Sequence, residues 1–574
     1  LKNIFLPALC AFALGACATA PASPESAAGD YLAGRVAAGV NDIGAAADKY
    51  AAAVRANPQD LEALRQAFFY SLAAGRVDAA LPFAERITGN DPSDGLARVT
   101  LAAAKLKRGD LSGAKAGLSG EFKESFSKSI ATLAGVWIEA ELGGPEKGLA
   151  ALGAAPDDVF KGFNPGITAI LAEEAGQIDA ARAAHQLAVG SFAGPAGREA
   201  YGAFLERTGD TAAARSFYET LEKERGAARR AARAGLQRLA KGTPSKAYTD
   251  VSAAEGAALA FYNFSGNILE QSAGERARAF EAGFNVGQPQ FTLPLALAQL
   301  ALYLNPDLAP ARQLAGSILN VYSNFDAARD VFQQIPPSSP YYEQAQIEIA
   351  SSLAAEEKSG EAIALMKAAV RADRSSEEMR LTLAGLYAER GRHAEAAASA
   401  AEAIALLGAN PPEDAWRFYI GRAASLMELK RWPEAEADLK KAVEIAPEEP
   451  TTLNYLGYSW AERGENLEEA FKLIEKAVAL APNSGAIIDS LGWAHYQLGR
   501  YADALPHLEK AASLEPADPT ITDHLGDVYL KLGRKVEAEF QWRRALELKP
   551  SDAVRASIEK KLADAAPSAP KTPG

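Results

Sequence analysis

The sequence predicts an all-α solenoid of helix–turn–helix hairpins, stacked in a row and wound as a right-handed superhelix. Three observations predict it. From Gly485 to Asp552 the chain repeats at an interval of 34 residues: Gly492 recurs as Gly526, Gly499 as Gly533, Ala504 as Ala538, Ala511 as Ala545 and Pro516 as Pro550. Small residues at two fixed places (Gly492 and Gly526, Ala504 and Ala538) let paired helices approach closely, while Leu491, Leu508, Leu525, Tyr529 and Trp542 fill the space around them. Helix breakers punctuate the pattern: Gly499 and Gly533 suit the turn inside a hairpin, Pro516 and Pro550 its end, and Ser484 and Asp518 the N-caps. One hairpin cannot bury its own apolar stripe, so each must stack on its neighbours and the row acquires an inner wall.

This pattern is that of the tetratricopeptide repeat. Because such an array grows by addition, a length of 574 residues does not count domains. The formal charge of -13 and pI of about 5.2 argue against nucleic acid, whose partners neutralise phosphates.

The elements follow in order. Residues 1–17, LKNIFLPALCAFALGAC, read as a lipoprotein signal peptide: one positive residue, Lys2, precedes an apolar run too short to span a bilayer. Leu14-Gly15-Ala16-Cys17 resembles the bacterial lipobox, whose cysteine is acylated and becomes the first mature residue; an ordinary secretory signal cut nearby is the plainer reading. Cys10 would leave with the signal, so the mature chain would keep Cys17 alone and form no internal disulfide. The resemblance implies a lipid anchor at Cys17, and Ala18 in place of aspartate implies the outer membrane. More than one acyl chain is needed for firm anchoring. Residues 18–29, rich in alanine and proline, read as a flexible tether.

An N-terminal array is expected over 30–222, partly degenerate. Ala46, Ala80 and Ala114 keep the 34-residue step, and Gly144, Gly176 and Gly209 read as hairpin turns. Residues 223–308 read as a joining region. Its basic run from Lys223 to Lys246 is either a solvated helix face or a surface for an anionic partner. It then forms a divergent hairpin, Ala253 to Gln271 and Leu293 to Leu304, around an insert at 272–292 read as a loop with functional use. Seven repeats follow over 309–552, with starts at Ala309, Glu343, Glu377, Trp416, Pro450, Gly485 and Pro519; Leu407 to Glu413 absorb five extra residues before the fourth. A capping helix from Asp552 to Ala565 and a disordered tail complete residues 553–574.

No catalytic, metal or cofactor constellation is apparent. The five histidines, His185, His393, His495, His507 and His524, lack ligand spacing, and no phosphate-binding glycine loop occurs. Gly457-Tyr458-Ser459-Trp460-Ala461 approaches a nucleophile elbow but sits inside an expected helix. The chain therefore reads as non-enzymatic, an enzyme site in the Ser252–Pro306 stretch being the remaining alternative.

Binding residues follow from register. The fifth, ninth and twelfth positions of a first helix face the inner wall, which selects Asn454 and Tyr458, then Asp489, Trp493 and Tyr496, then Asp523 and Asp527. Aromatic rings supply area and side-chain oxygens accept N–H donors, so a peptide groove is one reading; packing of Tyr458 and Trp493 between helices is the other. Asn454, Asp489 and Asp523 stand where a carboxylate clamp has lysine, so a free C-terminal carboxylate is not expected there.

The strings WRFYIGRAASLMELKRWPEAEADLKKAVEIAP from Trp416, NYLGYSWAERGENLEEA from Asn454, DSLGWAHYQLGRY from Asp489 and DHLGDVYLKLGRKVEAEFQWRRALELKP from Asp523 resemble a family of proteobacterial tetratricopeptide lipoproteins. The chain is similar to a related member of that family, the lipoprotein adaptor of a carboxyl-terminal processing protease, which delivers cell-wall hydrolases for degradation. The resemblance implies a periplasm-facing, lipid-anchored scaffold on the outer membrane, with protein partners such as that protease and peptidoglycan hydrolases. A pilotin-like assembly factor for a pilus or secretion machine is the alternative.

Overall fold

The computed structural model describes residues 27–155, 164–189, 194–281, 290–408 and 411–565. The expected signal peptide with Cys17, the tether up to residue 26, the middle of the insert and the tail after Ala565 lie outside the described residues. Among the described residues there are thirty α-helices and no strand. The chain divides into two compact units, Leu1–Ser352 and Leu353–Gly574.

In the first unit the opening helix, Ala27–Gly39, starts inside the segment expected as a tether. Hairpins follow, with aspartate N-caps where the sequence provides them. Asp60 accepts from the N–H of Glu62 and Ala63 at the head of Leu61–Ala73, and Asp94 from Ala97 at the head of Gly95–Lys107. Gly144, Gly176 and Gly209 have φ of 95°, 72° and 75°, the left-handed backbone that reverses the chain between helices. Ala46, Ala80 and Ala114 are each fully buried.

The basic run is largely folded inward. It forms the helix Gly226–Lys241, where Arg238 donates to Glu206 at 2.8 Å. Glu206 also accepts from the Tyr218 hydroxyl at 2.6 Å and the Ser245 N–H at 2.8 Å. Burial alone would raise the Glu206 carboxyl, but these partners hold it below the usual range. Arg233 pairs with Glu222, and Arg230 reaches Glu343 and the Pro337 carbonyl.

The region expected as a hairpin with an inserted loop differs from expectation. Its first helix runs from Ala253 to Glu281, so residues 272–281 continue the helix; a helical glycine such as Gly274 costs about 1 kcal/mol, which a long helix absorbs. The second helix is Thr292–Leu304. Together they pack on the first helices Leu61–Ala73, Gly95–Lys107 and Ser125–Gly143. Thr292–Leu304 is largely buried, with Leu295, Ala296, Leu297, Ala298, Leu300 and Ala301 at 0% exposure, in keeping with its charge-free sequence. Gly256 lies flat on Trp137, where a Cβ would stand 2.1 Å from the indole, and the Tyr303 hydroxyl donates to Asp78 at 2.8 Å.

First helices of the later repeats begin at Ala309, Tyr342, Glu377, Trp416, Pro450, Gly485 and Pro519. The five extra residues fall between Leu406 and Trp416, where Gly408 takes a positive φ and a short 3-10 turn spans Glu413–Ala415. In the second unit, successive first helices from Glu377–Glu389 to Pro519–Lys531 touch one another, while second helices meet mainly through the first helix between them. That row therefore bends with its first helices inside. Asp552–Ala565 closes it and buries Ile558 completely.

Candidate protein-binding wall

The wall is built by Pro450–Arg463, Gly485–Gln497 and Pro519–Lys531. Ser484 caps the second of these, accepting from Ile487, and Asp518 caps the third, accepting from Thr520 at 2.7 Å and Ile521 at 3.0 Å. The back of each helix is clamped by its hairpin partner. A Cβ at Gly492 would meet Leu508 at 2.6 Å, and one at Gly526 would meet Trp542 at 2.6 Å, so only glycine admits this approach. That packing fixes which side chains face inward.

On the inner side Trp493 forms the middle of a three-ring stack. Its centroid lies 4.6 Å from Tyr496 with planes 7° apart, and 4.0 Å from His524 with planes 15° apart. Asp489 sits 2.9 Å from Nδ1 of His524 and orients that ring. Asp523 and Asp527 share the ammonium of Lys561 from the capping helix, at 2.8 and 2.7 Å, and the Trp542 indole N–H donates to Asp527 at 3.1 Å. The rings with Asp489 thus form one cluster, and Asp523 and Asp527 with Lys561 a second.

The three aspartates are buried rather than displayed. Burial raises the Asp523 carboxyl and neighbouring Asp527 adds to this, against the pull of Lys561. Burial lowers the His524 imidazole, but Asp489, with Asp523 and Asp527 behind it, outweighs that and holds it above the ordinary histidine range. Tyr496 is pushed up to about 12 by burial and by Asp527. Tyr458 is raised by burial, then by Glu462 and Asp489.

The register-selected residues therefore separate into groups. Asp489, Trp493 and Tyr496 come together around His524, Asp523 and Asp527 around Lys561, and Asn454 and Tyr458 belong to the preceding helix. His524 and Lys561 escaped the register rule. His524 stands at the sixth position of its helix, and Lys561 comes from outside the repeats. Two inner-wall atoms are buried without a hydrogen-bond partner, Nε1 of Trp493 and Oδ1 of Asn454. They are a donor and an acceptor, the complement of a peptide's C=O and N–H. Among the described residues no group of histidine, cysteine and acidic side chains could hold a metal, and no helix is long and apolar enough to cross a membrane.

The family comparison agrees with this repeat architecture. The tetratricopeptide repeat family matches residues 31–95, 347–413, 399–450, 420–485 and 490–553. The chain is similar to a TPR repeat-containing protein of Pseudomonas aeruginosa, 38% identical over 99 residues, which are 17% of this chain and 16% of that protein. It is also similar to the protein O-mannosyl-transferase Tmtc1 of Drosophila melanogaster, 31% identical over 102 residues, 18% of this chain and 12% of that one. The matched stretches thus span less than a fifth of either relative. Among solved structures, the Cut9–Hcn1 hetero-tetramer of the APC/C aligns over 89% of this chain and 97% of that one, at 16% identity and a TM-score of 0.40.

Proposed function

From a chain that carries tetratricopeptide repeats in both of its units, we propose a non-enzymatic adaptor, lipid-anchored at Cys17 on the outer membrane and facing the periplasm. It binds protein partners through the inner wall of its C-terminal repeats. The observation that carries this reading is the Tyr496–Trp493–His524 stack, together with the unpaired Trp493 N–H and, on the preceding first helix, the unpaired Asn454 side-chain oxygen. Flat rings give a peptide large contact area at small entropic cost. The two unpaired atoms would gain the hydrogen bonds they lack, each worth about 1 kcal/mol.

The partners proposed are a carboxyl-terminal processing protease and the peptidoglycan hydrolases it degrades. Support comes from the lipobox resemblance and from the C-terminal strings shared with proteobacterial lipoproteins. Crosslinking and pull-down with the lipidated full chain, repeated with Trp493→Ala and Asp523→Lys, tests it. Recovery of protease and hydrolase, lost in both variants, is the expected result. Partners that survive both changes would remove the wall from the argument, and pore or pilus subunits in their place would favour the pilotin-like assembly role.

A further inference from the structure

The first unit contains a second chemically distinct place, away from any residue selected by repeat register. The segment after helix Gly226–Lys241 is pinned to helix Gly194–Arg207: Ser245 donates its N–H to Glu206, and Arg207 donates to the carbonyls of Ser245 and Ala247. It closes one side of a cavity of about 380 Å³. Pro310, Pro336, Pro340 and Tyr341 supply the apolar side, and Tyr248 faces the same space. Tyr248 and Asp250 hold left-handed backbone, φ 60° and 52°, a conformation that non-glycine residues adopt only under tertiary constraint.

The polar lining is one-sided. Glu199, Glu255 and Asp307 contribute three carboxylates against one lysine, Lys246, which is exposed. Glu255 is occupied in capping, accepting from the N–H and hydroxyl of Ser252. Among the described residues no hydrogen bond reaches Glu199, and Arg238, the guanidinium that acts on it electrostatically, is engaged by Glu206. Burial pushes the Glu199 carboxyl up, against the pull of Arg238. Tyr341 is 8% exposed, and its hydroxyl has no hydrogen-bond partner.

We propose that this cavity receives a guanidinium or ammonium group on an aliphatic stem, with Glu199 as the counter-charge and the Tyr341 hydroxyl as acceptor. A cation offsets the desolvation of Glu199, which a neutral or anionic ligand does not. Proline and tyrosine walls suit the stem and the flat face of a guanidinium. The volume lies within the range of small-ligand sites and exceeds what one methyl or water would need.

Calorimetric titration of the full chain with three probes tests this: agmatine, N-acetyl-glycyl-arginine amide and N-acetyl-glycyl-glutamate amide. The two cationic probes bind and the glutamate probe does not. Glu199→Gln weakens cation binding roughly tenfold or more, Tyr341→Phe a few-fold, and Lys246→Ala leaves it equal or tighter. Asp307→Asn, at an exposed rim position, weakens it roughly two- to threefold and keeps the test open should Glu199→Gln fail to fold. Equal affinity for agmatine and the arginine peptide identifies a free alkyl cation; preference for the peptide identifies a partner's basic side chain. The proposal is overturned if no cationic probe binds, if the glutamate probe binds more tightly, if Lys246→Ala abolishes binding, or if Glu199→Gln and Asp307→Asn both leave affinity unchanged.

Discussion

Within the unit that ends at Ser352, the first helices Leu61–Ala73, Gly95–Lys107 and Ser125–Gly143 are covered by a hairpin of the same chain. Within the unit that begins at Leu353, the first helices Gly485–Gln497 and Pro519–Lys531 instead carry a ring stack in which Trp493 and Tyr496 are half-buried over a buried His524. Both units use the same hairpin geometry. One spends its first-helix face on self-packing, and the other leaves that face uncovered by any such hairpin among the described residues. Repeat architecture therefore does not by itself make a binding site; what occupies the face decides.

The comparison breaks most visibly if the covering hairpin is undermined. Leu297→Ala, at a position with 0% exposure, should cost the first unit about 2–5 kcal/mol and leave the second unit's unfolding transition in place, as two-transition urea melts would show. Next in size, Trp493→Ala should lower partner affinity by roughly 2 kcal/mol with little loss of helical signal, because a half-buried ring is being removed from a wall whose core is elsewhere. Equal affinity would mean the stack is packing only. Lys561→Ala leaves Asp523 and Asp527 facing each other without a cation, and should lower the second unit's stability by on the order of 1 kcal/mol in the same melts.

The smallest effect is in pH. His524 is held above its ordinary value of about 6.5, so the His524–Asp489 pair contributes fully below that pH and its contribution is lost as pH rises through the raised value. The second unit's melting temperature should fall over that interval in the wild type. Asp489→Asn should flatten the dependence; an unchanged slope would remove the pair from the account.

What could be read from sequence follows the same division. Repeats of the second unit stack neighbour on neighbour, so each carries its own signals. Gly492 over Leu508 and Gly526 over Trp542 are close approaches written at fixed spacing. Asn454, Asp489, Trp493 and Tyr496 follow from register for the same reason. The covering hairpin has no such signature. Its apolar string from Thr292 to Leu304 indicates burial on all sides, but nothing local names the helices that bury it. Gly274 suggests a loop, yet the helix runs on to Glu281 because one glycine is a small penalty in 29 residues. His524 and Lys561 lay outside the register rule because their importance comes from a neighbouring repeat and from the cap.

The covering hairpin also imposes an order of events. Contacts of the second unit close over short stretches of chain, 35 residues from Asp489 to His524 and 38 from Asp523 to Lys561. Those of the hairpin span 112 residues from Glu141 to Ala253 and 225 from Asp78 to Tyr303. The second unit can assemble repeat by repeat from any starting point, whereas the first must hold its early helices unfinished until residue 304 has emerged. During that interval its apolar first-helix face stands open to solvent, the stage at which a newly made chain most needs a chaperone.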